Sequence, residues 1–234
     1  MEFQAQLLRI HQETPTVKSF LLRVGSEGFT FLPGQWIDLC VDTDGGERAV
    51  GGFTLVSSPL RRGVIELAIK GLRGGRAAAH LWNQARVGDI FWISRPSGDF
   101  CFHEDMSDSL VLIAGGIGVN PLMSMVRYLD DAGKKVRITL IYSVTSPSEL
   151  LFGKELQAIS ARNPLLRCLF TVTQPGQEPW EGRRGRIDKK MLEEAKLDLH
   201  ARYYICGPPG MPTELARVLR GLGVLPDSIR FEEW

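Results

Sequence analysis

One segment constrains the fold more than any other. Residues 110–121 read LVLIAGGIGVNP, an apolar run that leads into glycines and a proline. The apolar run predicts a buried strand, and Gly116 and Gly118 allow a tight turn of the backbone after it. Pro121 has the fixed φ angle that suits the first turn of a helix. The segment therefore predicts a strand, a glycine turn and a helix, which is the repeating unit of an α/β domain.

The same alternation continues to the end of the chain and predicts a parallel α/β sheet. Strands are predicted at residues 110–114, 136–142, 166–172, 203–206 and 229–232. Amphipathic helices are predicted between them at residues 121–132, 148–159, 188–195 and 212–222. Residues 174–185 are rich in Gly, Pro, Glu and Arg, which predicts an exposed loop.

The first hundred residues have a different pattern, with short apolar or alternating runs separated by turn residues. These runs predict strands at residues 2–8, 17–24, 36–41, 53–56, 64–69 and 90–94, with one helix at 76–85. Such spacing is typical of an antiparallel barrel or sandwich. Two domains follow, with a predicted boundary between residues 1–105 and 106–234.

Composition excludes several classes of protein. The formal net charge is +1, so no global field attracts nucleic acid or an anionic membrane. The chain has neither a secretory leader nor an apolar stretch of membrane-spanning length, which predicts a soluble, cytoplasmic protein. The four cysteines are far apart in sequence and form no CxxC pair, so they indicate neither a zinc site nor an iron-sulfur site.

Two glycine turns are candidates for binding a phosphate group. The first spans residues 115–121, where the start of a helix offers free N-H groups and a partial positive charge. The second, CGPPGM at residues 206–211, ends another strand at the same carboxyl edge of the sheet. Tight turns also need glycine where no ligand binds, and Cys206 taken alone favours a buried strand cysteine over a functional one. The GxGxxP pattern differs from the GxGxxG of ordinary dehydrogenases.

Six motifs, in this order, resemble the ferredoxin-NADP reductase family over nearly the whole chain. They are PGQW at 33–36, GFTLVSSP at 52–59, PSGDF at 96–100, the loop at 115–121, CGPPGM at 206–211 and FEEW at 231–234. Residues 51–53, residues 148–152 and Trp234 are most similar to the branch of oxidoreductase NAD-binding domain-containing proteins.

The resemblance implies an antiparallel β-barrel flavin domain followed by an α/β parallel-sheet domain that binds a nicotinamide nucleotide. FAD is the implied cofactor, with FMN as a second option, and NADH or NADPH is the implied electron donor. The chain would be a flavoprotein reductase that takes a hydride onto bound flavin and passes electrons to an unidentified acceptor, such as a separate redox protein. Two alternatives stay open: a flavin reductase that uses flavin as a substrate, and a nucleotide-binding accessory or sensor subunit without turnover.

The resemblance also implies roles for particular residues. Phe53 would lie against the flavin ring, Thr54 would bond near flavin N5, and Trp234 would cover the ring face that the nicotinamide must reach. The implied catalytic residues are Thr54, Cys206 and Trp234. The implied flavin site comprises Phe53, Thr54, Leu55, Val56, Ser57, Ile69, Lys70, Gly75, Arg76, Ala77, Ala78 and Trp234. The implied nucleotide site comprises Gly115, Gly116, Ile117, Gly118, Asn120, Pro121, Tyr142, Ser143, Cys206, Gly207, Pro208 and Met211.

Two departures from the family pattern affect the flavin phosphates. Gly51 stands where the family has an arginine, and Ala78 stands where it has a hydroxyl residue. Loss of a guanidinium removes a bidentate phosphate contact. Substitutes for the missing charge are predicted among nearby arginines and the N-H groups of residues 75–77. The arginines are Arg48, Arg73 and Arg76.

The choice of nucleotide depends on the end of the second strand of the α/β domain. Residues 142–147 offer hydroxyls but no positive charge for a 2′-phosphate, which favours NADH. Three arginines in the long loop keep NADPH open: Arg183, Arg184 and Arg186.

Overall fold

The computed structural model describes residues 1–25, 28–43, 46–71, 75–103 and 107–233. It contains an antiparallel six-stranded sheet followed by a parallel six-stranded sheet, as the sequence predicts. The predicted domain boundary after residue 105 falls outside the described residues and stays a prediction. No helix in the described ranges is both long and apolar enough to cross a membrane.

The first sheet forms the barrel, in the strand order β4-β3-β6-β1-β2-β5. Its strands are β1 (Phe3–Thr14), β2 (Val17–Val24), β3 (Trp36–Asp42), β4 (Arg48–Thr54), β5 (Val64–Lys70) and β6 (Ile90–Ile93). A bridge between Leu55 and Leu67 joins the two edge strands. Helix α1 (Gly75–Asn83) buries Ala77, Ala78 and Leu81 against the barrel core.

The predicted strand at residues 53–56 was wrong in its bounds. Strand β4 occupies Arg48–Thr54 and pairs along its whole length with β3 as a hairpin. Gly51 and Gly52 have low β-propensity, so the local pattern concealed the strand, whereas pairing with β3 stabilises it. Beyond Thr54 the chain leaves the strand, with an isolated bridge at Leu55 and a hydrogen bond from the Val56 N-H to the Glu66 carbonyl.

The second sheet has the strand order β10-β9-β8-β7-β11-β12, and helices cover both faces. Its strands are β7 (Ser109–Gly115), β8 (Arg137–Val144), β9 (Leu166–Val172), β10 (Arg183–Arg184), β11 (Arg202–Gly207) and β12 (Ile229–Glu233). Its helices are α2 (Val119–Asp131), α3 (Gly153–Arg162), α4 (Lys189–Glu194) and α5 (Met211–Gly221).

Two elements of this sheet differ from the prediction. The predicted helix at 148–159 is a 3-10 turn at Pro147–Glu149 followed by α3, because Phe152 between them has a left-handed backbone with φ of 58°. Strand β10 lies within the predicted exposed loop at 174–185. A two-residue polar strand gives no periodic signal, so its pairing with β9 was not predictable.

Candidate functional site

The glycine turn after β7 has the geometry of an anion-binding site at Gly116, the first residue after the strand. Gly116 has a positive φ of 53°, and no atom lies within 4 Å of the position that a Cβ would occupy. Residues Gly116–Gly118 form a 3-10 turn, and α2 begins directly afterwards at Val119. The space beside Gly116 is therefore open at a helix start, where backbone N-H groups attract negative charge.

Gly118 has a different role. A Cβ at Gly118 would lie 2.3 Å from the carbonyl oxygen of Cys206 and 2.7 Å from the nitrogen of Gly207. The space that glycine leaves here is filled by the end of β11, so Gly118 is required for packing of the two turns against each other.

The two predicted phosphate turns meet at the carboxyl edge of the sheet. A Cβ at Gly115 would lie 2.5 Å from the sulfur of Met211, and one at Gly207 would lie 2.9 Å from the same atom. Cys206 pairs with Ala114 across the two strands and is fully buried. Pro208, by contrast, is exposed at the rim. The structure thus brings both segments together, with Cys206 below the surface of the crevice.

The barrel presents Thr54 and Phe53 at the end of β4. Thr54 is 7% exposed, and its hydroxyl has no hydrogen-bond partner among the described residues. The half-buried ring of Phe53 lies over Gly51, with its Cζ 2.9 Å from the position of a Gly51 Cβ. The Cβ of Ala77 is almost as close to that position, at 3.0 Å. An arginine at position 51 would therefore require Phe53 to move.

Three other predicted flavin residues, Leu55, Val56 and Ser57, are buried in the barrel wall. Val56 donates its N-H to Glu66, and its carbonyl accepts a bond from Arg127 on α2. The Ser57 hydroxyl accepts the N-H of Glu66. These polar groups already have protein partners, so this segment connects the barrel to α2.

The start of α1 is the candidate site for flavin phosphates. Gly75 is exposed with a φ of 71° and open space around it. Arg76 is also exposed, and its guanidinium lies 2.6 Å from a carboxylate oxygen of Glu47. Ala77 and Ala78 are buried, so their side chains face the barrel core. Arg48 pairs instead with Asp42 across the hairpin.

Several predicted residues remain to be placed. Ile69 is buried in the barrel core, and Lys70 beside it is exposed. Arg183 pairs with Asp188 and Glu194. Arg73 and Trp234 lie outside the described residues. Glu233, the last described residue, accepts hydrogen bonds from the Gly210 N-H and the Thr213 hydroxyl at the start of α5.

A small cavity of about 30 Å³ lies where the two sheets meet. Its lining combines barrel residues with the first phosphate turn and the end of β8. The lining residues are Val17, Lys70, Gly116, Ile117, Tyr142, Val144, Thr145, Glu149 and Leu151. Of the predicted nucleotide residues, Tyr142 is fully buried, and burial raises its pKa, while Ser143 is half-buried.

Glu149 is a polar residue of this cavity to which sequence reasoning gave no role. Its carboxylate accepts hydrogen bonds from the hydroxyls of Thr14, at 3.1 Å, and Thr16, at 2.6 Å, both from the barrel. The only sequence signal was its position within the motif at 148–152. Glu149 therefore places a negative charge at the junction of the two sheets, beside Thr145.

Asn120 is a second polar residue at this junction. Its side-chain nitrogen donates to the Ala68 carbonyl of β5 at 2.8 Å. Its side-chain oxygen is buried without a partner among the described residues. An unpaired buried acceptor is costly, so this oxygen suits a donor supplied by a ligand. Pro121 follows it and is buried.

A larger pocket, of about 700 Å³, lies between α1 and the outer faces of β3 and β6. Of the described residues predicted to bind flavin or nucleotide, only the candidate phosphate arginine Arg48 lines this pocket. We place the site at the junction of the sheets because the open turn at Gly116 lies there. Among the described residues no cluster of three or more His, Cys, Asp or Glu side chains could hold a metal ion.

Two domain families match the chain. The Oxidoreductase FAD-binding domain family matches residues 4–102, and the Oxidoreductase NAD-binding domain family matches residues 112–216. The first match covers the barrel with Thr54 and α1, and the second covers both phosphate turns.

Named relatives agree with these matches. The Oxidoreductase NAD-binding domain-containing protein 1 of Danio rerio is 34% identical, over 99% of this chain and 92% of that protein. The glycine betaine monooxygenase reductase subunit of Chromohalobacter salexigens is 32% identical over 92% of this chain, which spans 60% of that relative's length. The FAD/NAD binding domain of a Vibrio cholerae nitric oxide dioxygenase has the same fold, with a TM-score of 0.89 and 23% identity over 99% of this chain and 98% of that one.

Proposed function

Because this chain belongs to the ferredoxin-NADP reductase family, with an FAD-binding and an NAD-binding domain, we propose that it oxidises NADH and passes the electrons through bound FAD to a separate acceptor. The observation that carries the proposal is the junction of the sheets, where open Gly116 and Ile117 share a cavity with Lys70 of the barrel. The monooxygenase reductase among the relatives supports a protein acceptor.

Each side of the junction has its own task. When bound, the flavin supplies the redox chemistry, while the protein supplies binding and orientation. The Thr54 hydroxyl at the end of β4 would donate a hydrogen bond to the bound flavin. The N-H groups around Gly116 bind the nucleotide phosphates, and the unpaired Asn120 oxygen accepts a donor from the nucleotide. Cys206 forms the floor below the nicotinamide.

The remaining roles follow from position. The open start of α1 at Gly75, with Arg76 beside it, binds the flavin phosphates in place of the arginine missing at Gly51. Trp234 lies outside the described residues, and the role proposed for it, covering the flavin face, rests on the family resemblance alone.

The test is the visible absorbance of the purified protein before and after anaerobic NADH. We expect a yellow flavin band that bleaches with NADH. Thr54→Val, which replaces the hydroxyl with a methyl group of similar size, is expected to slow bleaching roughly tenfold, the value of about one hydrogen bond. Thr139→Val, a half-buried threonine of β8, is the control and should bleach at the wild-type rate.

Three results of this test would count against the proposal. Equal rates for Thr54→Val and wild type would remove Thr54 from the mechanism. A colourless protein that oxidises NADH only when free flavin is added would favour flavin as a substrate, an option that Gly51 itself suggests. A colourless protein that binds NADH but stays inert with added FAD or FMN would indicate an accessory subunit.

The preference for NADH rests on Glu149. Its carboxylate lies in the cavity beside Gly116 and Thr145, where the 2′-phosphate of NADPH would add a second negative charge. Glu149→Gln keeps an oxygen that accepts the bonds from Thr14 and Thr16 but removes the charge. We expect the ratio of kcat/KM for NADPH to that for NADH to rise roughly tenfold.

Steady-state kinetics with both nucleotides measure this ratio. Glu193→Gln, which removes an exposed charge from α4, is the control and should leave the ratio unchanged. If Glu149→Gln also leaves the ratio unchanged, the carboxylate does not discriminate between the nucleotides.

A further inference from the structure

One face of α2 is attached to the barrel by polar side chains. Four residues of the helix follow one another at spacings of four, three and four, which places them on a single face. Each makes a hydrogen bond or an ion pair with a barrel residue. They are Asn120 with Ala68, Ser124 with Ser57, Arg127 with Val56 and Glu66, and Asp131 with Arg61.

Arg127 is the centre of this face and the most completely bonded residue of the four. Its side chain is 6% exposed. Nε and one Nη bind the two carboxylate oxygens of Glu155 on α3, at 2.8 and 2.7 Å. The other Nη binds Glu66 of β5 at 2.7 Å and the Val56 carbonyl at 3.3 Å. The guanidinium also lies 4.9 Å from the ring centre of Phe152.

This arrangement joins three elements through one planar group. A guanidinium presents its donors in a fixed fork, so partners on two sides fix its orientation as well as its position. Glu155 on α3 and Phe152 just before it contact the guanidinium from within the α/β domain. Glu66 and Val56 bind it from the barrel. Its bonds therefore connect the barrel with α3 through a single buried group.

Both ends of the connection lead directly to the proposed site. Val56 follows Thr54 by two residues, in the wall that carries the flavin-contacting segment. Arg127 lies nine residues after Gly118, about 13 Å along a continuous helix that begins at the phosphate turn. A shift at Arg127 is thus transmitted along a rigid helix to the residues that bind the nucleotide.

We propose that Arg127 is a positioning residue that sets the nicotinamide-binding turn in register with the flavin-binding strand. The proposal rests on the proposed function, because register matters only if a reaction spans the two sheets. A reaction of this kind is sensitive to distance, and a displacement of about 1 Å lowers the rate by roughly 100-fold.

The two carboxylate partners provide matched variants. Glu66→Gln weakens the ion pair between the barrel and Arg127. Glu155→Gln weakens the ion pair between Arg127 on α2 and Glu155 on α3, within the α/β domain. Each removes one negative charge next to the same guanidinium. Only Glu66→Gln is expected to loosen the register, so the pair separates positioning across the junction from a general loss of stability.

Two measurements apply to these variants. Residual dipolar couplings of the flavin-free protein report the relative orientation of the sheets. In wild type and Glu155→Gln, we expect a single alignment tensor to fit the couplings of both sheets. In Glu66→Gln, we expect each sheet to require its own tensor. In anaerobic single-turnover reduction by NADH, we expect the limiting rate of Glu66→Gln to fall roughly tenfold while its NADH Kd changes less than about twofold. Arg61→Ala, which breaks an exposed contact across the same junction, should match wild type in both measurements.

A triple variant provides a second test that retains the fold. Arg127→Met with Glu66→Gln and Glu155→Gln removes the whole charged group, a replacement that buried ion clusters often tolerate. We expect loss of the common alignment and a limiting rate at least as low as that of Glu66→Gln. A common alignment and a wild-type rate in this variant would overturn the proposal. If wild type itself is inert with NADH, the proposed function fails, and the couplings alone decide the role of Arg127.

Discussion

Gly118→Ala is expected to weaken NADH binding by roughly 100-fold without unfolding the protein. The new methyl group would lie 2.3 Å from the Cys206 carbonyl oxygen and 2.5 Å from its carbon. Both are backbone atoms of β11, which is hydrogen-bonded on one side to β7 and on the other to β12. The strand is fixed, so the phosphate turn has to move away from it, and its N-H groups move too.

Titration of the protein with NADH, followed by nucleotide fluorescence, measures this loss. Gly221→Ala is the matched control, because a Cβ at Gly221 meets no atom within 4 Å and the residue ends helix α5. It should leave the NADH Kd unchanged and raise stability slightly. An unchanged Kd in Gly118→Ala would show that contact between the two turns is not needed for nucleotide binding.

The features that sequence predicts well are those with local signals. The run from β7 through the glycine turn to α2 is contiguous, and its apolar strand, glycines and proline each favour the observed conformation. The same holds for the strands of the barrel whose alternation is regular. Two barrel strands are exceptions. Gly51 and Gly52 interrupt the pattern of β4, so pairing with β3 decides its bounds. Strand β1 runs to Thr14, beyond its predicted end at residue 8.

The site is harder to predict because its determinants join distant parts of the chain. Glu149 binds hydroxyls from the β1–β2 hairpin, more than 130 residues earlier. Phe152 interrupts the predicted helix with a positive φ, and its ring is held beside Arg127. The sequence identified Gly118 as special, but the reason, the Cys206 carbonyl, is visible only after β11 is placed beside β7.

Arg127→Met is expected to lower the free energy of unfolding of the flavin-free protein by about 3–5 kcal/mol. The substitution keeps most of the side-chain volume but leaves two carboxylates, Glu66 and Glu155, facing one another without a cation. Glu66 is 12% exposed, so water compensates it poorly. The Val56 carbonyl loses its donor as well. Urea unfolding followed by circular dichroism measures the change.

Arg61→Met is the matched control, because it removes an arginine that crosses the same junction to Asp131 but is half exposed. A surface pair contributes about 1 kcal/mol or less, so this variant should remain close to wild type. A loss of the same size in both variants would mean that burial of the charge is not the cause, and that α2 simply tolerates no change on this face.

Neutralising both carboxylates in the Arg127→Met background should restore most of the lost stability, because the penalty arises from uncompensated buried charge. The triple variant therefore separates the effect of Arg127 on stability from its effect on the register between the two sheets. An apolar group can fill the same space at the junction, but it lacks the fixed fork that holds β5 and α3 at defined angles. A triple variant that is stable yet transfers hydride slowly would show that the buried charges are retained for geometry, which unfolding measurements alone do not report.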